Sequence, residues 1–111
     1  MEAGDFCTAL RADGVTADVV LFDPPYSPRQ ISECYKSVGL KVGMAETQNA
    51  ALYKRVKDGL DALCKPGSLA VCCGWNSGGF GKTRNWEMIE LLLVAHGGAH
   101  NDTIVTVECK R

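Results

Sequence analysis

Apolar positions in this chain alternate between unbroken runs and helically spaced stripes, and the two kinds of pattern predict different elements. Val19-Val20-Leu21-Phe22 is continuously apolar. Such a run suits a parallel strand covered on both faces, so a strand is expected near 17–22. It stops at Asp23-Pro24-Pro25, where two prolines rule out further ladder bonding. A helix is expected over 28–38. Ser27 can cap it, Pro28 takes the first helical position, and Gln30 completes an S-x-x-Q capping box. Ile31, Cys34, Tyr35 and Val38 then recur at helical spacing, and Gly39 ends the segment.

A second helix is expected over most of 47–64, with Leu52, Val56, Leu60 and Leu63 as its apolar stripe. Gly59 weakens it by about 1 kcal/mol relative to alanine, so packing has to stabilise it. Lys65-Pro66-Gly67 closes it, and Leu69-Ala70-Val71-Cys72-Cys73 reads as another buried strand near 68–73. The stretch 74–85 is a loop with four glycines and a short cationic segment. Residues 86–96 fit either a helix, by their Glu, Met and Leu content, or a buried strand, by their unbroken apolar run. Thr103-Ile104-Val105-Thr106-Val107 is β-branched and reads as a strand. Gly97-Gly98 and Asn101-Asp102 between them suit an antiparallel hairpin near 86–109. The fold class is therefore α/β, a single domain over 1–111. Ligands of such sheets gather at the carboxyl ends of parallel strands, where the loops at Asp23 and Gly74 both fall.

Composition narrows the chemistry. With 111 residues the chain buries roughly 60–68% of its unfolded surface, and 46% apolar residues are ample for packing. The formal net charge of -1 provides no global basic field, so any nucleic-acid contact must come from a local patch. Six cysteines form no C-x-x-C pair, and the two histidines, His96 and His100, lie far from most of them in sequence. The expectation is a reduced, cytoplasmic protein with core thiols and no metal. Met1-Glu2-Ala3-Gly4-Asp5 is unlike a secretory leader, and the run 89–95 is too short to span a bilayer.

Asp23-Pro24-Pro25-Tyr26 directly after an apolar strand resembles motif IV of the DNA methyltransferases that modify exocyclic amino groups. The adjoining Ser27-Pro28-Arg29-Gln30-Ile31, the segment Gly74-Trp75-Asn76-Ser77 and residues 93–102 resemble an adenine-specific, phage or mobile-element group of that superfamily. The likeness runs from about Gly4 to Lys110. It implies a partial Rossmann-like methyltransferase sheet, a strand for 86–96, DNA as partner and S-adenosylmethionine as cofactor. A proline pair alone can simply terminate a strand; the buried strand before it and the wider likeness favour the motif.

The chemistry suits these residue types. An adenine or cytosine amino nitrogen is a poor nucleophile because its lone pair is delocalised into the ring. Two acceptors aimed at its hydrogens favour the pyramidal, reactive nitrogen, increasingly so toward the transition state. Asp23 can supply a carboxylate oxygen, Pro24 its backbone carbonyl, Pro25 a stiff turn, and Tyr26 a ring to stack on a base turned out of the helix. Asp5, in Gly4-Asp5 ahead of the motif strand, resembles the acidic residue that contacts the cofactor adenosine in the superfamily. An exposed terminal acid explains it nearly as well. Arg29, Trp75, Asn76, Lys82 and Arg84 are candidate substrate or nucleic-acid contacts, set against ordinary packing for Trp75 and ordinary surface charge for the cations. His96 and His100 are expected to decorate the hairpin.

Two further features bear on function. Residues 76–83 match a Walker A phosphate loop except that Asn76 replaces its first glycine, the position at which the loop bends to aim amides at phosphate. The helix required at Lys82 is weakly signalled, and no later strand ends in a suitable acid. Moreover, neither F-x-G-x-G nor D-P-F-x-G, the glycine motifs that hold the cofactor in this superfamily, occurs in the sequence. The resemblance thus implies a domain without its cofactor glycine motif and without a target-recognition domain. It leaves a minimal methyltransferase or an inactive remnant serving as an interaction module, with RNA as an alternative substrate. Strand 17–22 is expected to form an apolar open edge, covered in a homodimer or a domain-swapped assembly.

Overall fold

The computed structural model describes residues 2–24, 50–98 and 101–111, with backbone alone for 50–52. The expected helix 28–38 lies outside these residues, as do Pro25, Tyr26, Arg29, Cys34 and His100.

The chain opens with a helix that the apolar pattern did not announce, α1 (Ala3–Ala12). Only Gly4 and Cys7 are buried on it, and Phe6 is exposed, so no stripe marks it in the sequence. Asp5 in its first turn and Arg11 in its last complement the helix dipole. Gly14, at φ 75°, turns the chain out of the helix and into β1 (Ala17–Phe22). The second described helix, α2 (Ala50–Leu63), packs against α1. A Cβ built on Gly59 would sit 2.9 Å from the Cβ of Cys7, so the glycine that weakens α2 is what lets the two helices approach.

The sheet continues with β2 (Cys64–Gly74), β3 (Trp86–Val94) and β4 (Thr103–Lys110), in spatial order β1-β2-β4-β3. β1 and β2 run parallel, with Val19 opposite Leu69 and Phe22 opposite Cys72. β2 is antiparallel to β4, and β3 and β4 form the expected hairpin. Residues 86–94 are therefore strand, not helix. β2 starts directly after α2, four residues ahead of the expected 68. Gly67, at φ 94°, and Ser68 shape this entry. The buried Ser68 hydroxyl donates to the Ala17 carbonyl at 2.8 Å and accepts the Lys65 N–H at 3.1 Å.

One face of the sheet carries the core: Val20, Ala70, Cys72, Phe80 and Trp86, flanked by Phe22, Leu60 and Cys64. The Trp86 ring meets Phe80 edge-on at 5.2 Å, and its indole N–H donates to Asp61 at 2.8 Å, which satisfies the buried polar tip. Lys110 also bonds Asp61 and lies 5.5 Å from the Trp86 ring centre. On the opposite face the register aligns Leu21, Val71 and Val107 in one apolar row. There Val19 is 54% and Leu21 73% exposed, and Leu92 and Val94 of β3 are exposed as well. The described cysteines, Cys7, Cys64, Cys72, Cys73 and Cys109, are free thiols. No described helix is long and apolar enough to cross a membrane, and no described side chains group as a metal site.

Candidate functional site

The parallel strands β1 and β2 end side by side, at Phe22 and Gly74, and the chain diverges there into different loops. That divergence opens a cleft of about 120 Å³. Phe22 and Pro24 wall it from β1, Tyr53 and Lys57 from α2, and Cys72 to Asn76 with Gly79 from β2 and the loop after it. Phe22, Pro24, Tyr53 and Trp75 bring rings to its lining. Phe22 is the central ring, edge-on to Tyr53 at 6.0 Å and to Phe80 at 6.3 Å. The Lys57 ammonium sits 5.6 Å from the Phe22 ring centre and donates to the Gly79 carbonyl at 2.8 Å.

The motif residues within the described structure stand at this cleft. Pro24 lines it, and Asp23 is exposed immediately before it. Burial, with the Asp23 carboxylate adding to it, pushes the Cys73 thiol above its ordinary range, which sets Asp23 electrostatically beside the cleft wall. Burial, reinforced by Glu108, pushes the Cys72 thiol up to about 11. Both thiols are therefore protonated at neutral pH and unsuited to act as nucleophiles.

The other candidates divide by what their side chains touch. Trp75 and Asn76 line the cleft. The Asn76 Oδ1 accepts the Gly78 N–H at 2.9 Å, so that amide side chain shapes its own loop. Lys82 is exposed on a three-residue 3-10 turn, Lys82–Arg84. Arg84 is held inward: its Nε donates to Asp58 at 2.8 Å and its Nη1 to the Phe80 carbonyl at 2.9 Å. Hydrogen bonds from Arg84 and Lys54 hold the Asp58 carboxyl below its usual range. Asp5, in the first turn of α1, accepts Arg55 at 2.7 Å. His96 decorates the hairpin, its Nε2 2.6 Å from the Thr103 hydroxyl.

The phosphate-loop likeness does not survive the geometry. No α-helix begins at Lys82, and the amides of Phe80 and Gly81 point at the chain's own Glu108, at 2.7 and 2.9 Å. The sequence reading missed three residues that shape this site: Tyr53, Lys57 and Glu108. Tyr53 and Lys57 share an i, i+4 face of α2 beside the apolar stripe, a spacing that marks a helix face but not a cleft. An acid directly after the β-branched run of β4, still within the strand, was the available signal for Glu108, because a buried strand acid requires partners.

No family model and no curated protein matches the sequence. Solved structures do match the fold. TrmN from Thermus thermophilus is similar over 95% of this chain, with TM-score 0.56 and 18% identity. SMU.776, assigned as a methyltransferase and complexed with SAH, is similar over 97%, with TM-score 0.59 and 11% identity. M1.HpyAVI is similar over 99%, with TM-score 0.53 and 10% identity. The chain spans 26%, 30% and 52% of those three chains, respectively. The mixed four-stranded sheet with its two described helices thus matches part of the Rossmann-like α/β fold of those structures.

Proposed function

We propose that this chain forms the acceptor side of an S-adenosylmethionine-dependent methyltransferase acting on an exocyclic amino group of a nucleic-acid base, adenine in DNA being the favoured target. The observation that carries this reading is Asp23-Pro24 at the carboxyl end of β1, on the rim of a ring-lined cleft. A planar base entering beside Phe22 brings its amino group to the Asp23 carboxylate and the Pro24 carbonyl. These two acceptors draw on the amino hydrogens and localise the nitrogen lone pair for attack on a methyl group. Pro25 and Tyr26 complete the motif in this reading, Tyr26 as a stacking ring. Trp75 at the mouth, with Arg29 and Lys82, is assigned to the nucleic acid.

The described residues fit a ring and not the whole methyl donor. A cleft of about 120 Å³ is well below the roughly 300–1,000 Å³ of sites that enclose complete small ligands. Asp5, the candidate for the donor's adenosine, is engaged by Arg55. In this reading S-adenosylmethionine draws on surface beyond the described residues. We assign that surface to an assembly across the β1 edge, in the first instance a homodimer. The same two observations favour the second reading, an inactive remnant that acts as an oligomeric interaction module.

The test is calorimetric titration with S-adenosylmethionine, followed by methyl transfer to DNA and to RNA by wild type and Asp23→Ala. The expected result is binding by the assembled protein and transfer to DNA that falls about 10²-fold or more in the variant. Transfer unaffected by Asp23→Ala would sink the catalytic assignment. Failure to bind the donor in any assembly state would leave the interaction module.

A further inference from the structure

The loop that walls the cleft is held by charges arranged with matching polarity. Its backbone N–H groups at Phe80 and Gly81 donate to the two oxygens of Glu108, at 2.7 and 2.9 Å. Its carbonyls at Gly79 and Phe80 accept from Lys57, at 2.8 Å, and Arg84, at 2.9 Å. Gly79, at φ 53°, turns the backbone so that the neighbouring amides of Phe80 and Gly81 gather into an anion-binding nest, and Gly81, at φ 84° and ψ 168°, leads the chain out of it. An acid of the chain itself thus takes the anion position of the nest.

Glu108 lies on β4 with 1% of its surface exposed, between Ala70 of β2 and Met88 of β3. An apolar side chain would satisfy that site in the sheet without the cost of removing a carboxylate from water. What the acid gains there is the loop. The fit is mutual, because a Cβ on Gly79 would come within 2.1 Å of Glu108 Oε1. Gly79 also lines the cleft and receives Lys57, which stands over the Phe22 ring.

We infer that Glu108 is a positioning residue for the cleft: an internal anion that fills the amide nest of the 78–81 loop and so fixes where Gly79 and Lys57 stand against Phe22. The inference concerns the cleft proposed above as the acceptor site. Its test needs no methyl transfer, so its failure and the failure of that reading are distinguishable.

The experiment is amide hydrogen exchange by NMR on wild type, Glu108→Gln and Glu108→Ala, the last with and without formate or formamide. In wild type the Phe80 and Gly81 amides should exchange more slowly than the Ser77 amide. Equal rates would overturn the proposal without recourse to a variant. Glu108→Gln keeps the volume but presents an NH2 donor to one of the amides, so one should lose protection and the other keep it. Retention of both would count against the charge as the holding group.

In Glu108→Ala both amides should exchange about 10-fold faster or more, and formate should restore them while its neutral isostere formamide does not. Equal rescue by both, or by neither, would overturn the nest. If this variant fails to fold, the wild-type and Glu108→Gln measurements decide. The Lys57 side-chain resonances report on the cleft itself. They should shift in whichever variant loses amide protection. Unmoved Lys57 resonances alongside unprotected loop amides would reduce Glu108 to loop stability and defeat the positioning role.

Discussion

The thiol of Cys72 shows how a single side chain ties the site to stability. It sits on the buried face of β2, at the cleft, with Glu108 nearby, and these surroundings push its pKa up to about 11. The charged form is the thiolate, so folding favours the protonated thiol. Its contribution is fully present below the ordinary thiol range and is lost as pH rises through about 11. The destabilisation caused by Cys72→Ala, measured by urea unfolding, should therefore shrink between pH 8 and pH 11. A penalty that stays constant over that range would contradict the buried-thiol assignment. The sequence showed Cys72 as an apolar strand residue, and its environment follows from Glu108 on the neighbouring strand β4, diagonally across the pairing and 36 positions away in the chain.

At the scale of elements, helix propensity and helix packing make opposite demands at Gly59. Alanine there gains about 1 kcal/mol of intrinsic helix preference. Its Cβ would meet the Cys7 Cβ at 2.9 Å, and that contact is not the end of a flexible chain. Overpacking of this kind costs typically 1–3 kcal/mol. Gly59→Ala should therefore lower stability by about 1 kcal/mol, read as a drop in the urea midpoint with an unchanged slope. A rise in the midpoint would show that α1 is free to move away from α2. Cys7→Ala should leave the Gly59→Ala penalty in place, since it retains the offending Cβ. The glycine was legible as a weak point of α2, but its purpose was not, because α1 left no apolar stripe to announce a partner.

At the scale of the whole molecule, β1 is both the strand that presents the motif and the end of the described sheet order. Its Leu21 is 73% exposed, and the face behind it stays apolar across the strands from Leu21 to Val107. An apolar edge and face of this kind favour association. Sedimentation at micromolar concentration should show a dimer, and Leu21→Lys should shift it toward monomer. A wild-type monomer over that range would remove the homodimer from the proposal. The Asp18–Lys65 pair at 2.9 Å does little to oppose such pairing. Both partners are exposed and sit at the beginning of the strand.

The sequence by itself determined the elements whose signals are local. An unbroken apolar run stopped by two prolines marked β1, and β-branched residues behind a turn marked β4. The stripe Val56, Leu60 and Leu63 marked α2. Each needs only neighbours within a turn or a strand, so period and propensity suffice. It also singled out Asp23 and Pro24 as candidates, because the motif is contiguous, and Pro24 lines the cleft. Periodicity left residues 86–94 between helix and strand, since an apolar run is equally at home in a buried helix; the resemblance favoured the strand, and the pairing with β4 shows it. Tertiary structure alone brought Tyr53, Lys57 and Gly79 to the cleft beside Pro24, and seated Glu108 under a loop 28 positions away. A nest of amides carries no residue-type signature of its ligand. Only the fold showed that this one is filled from within.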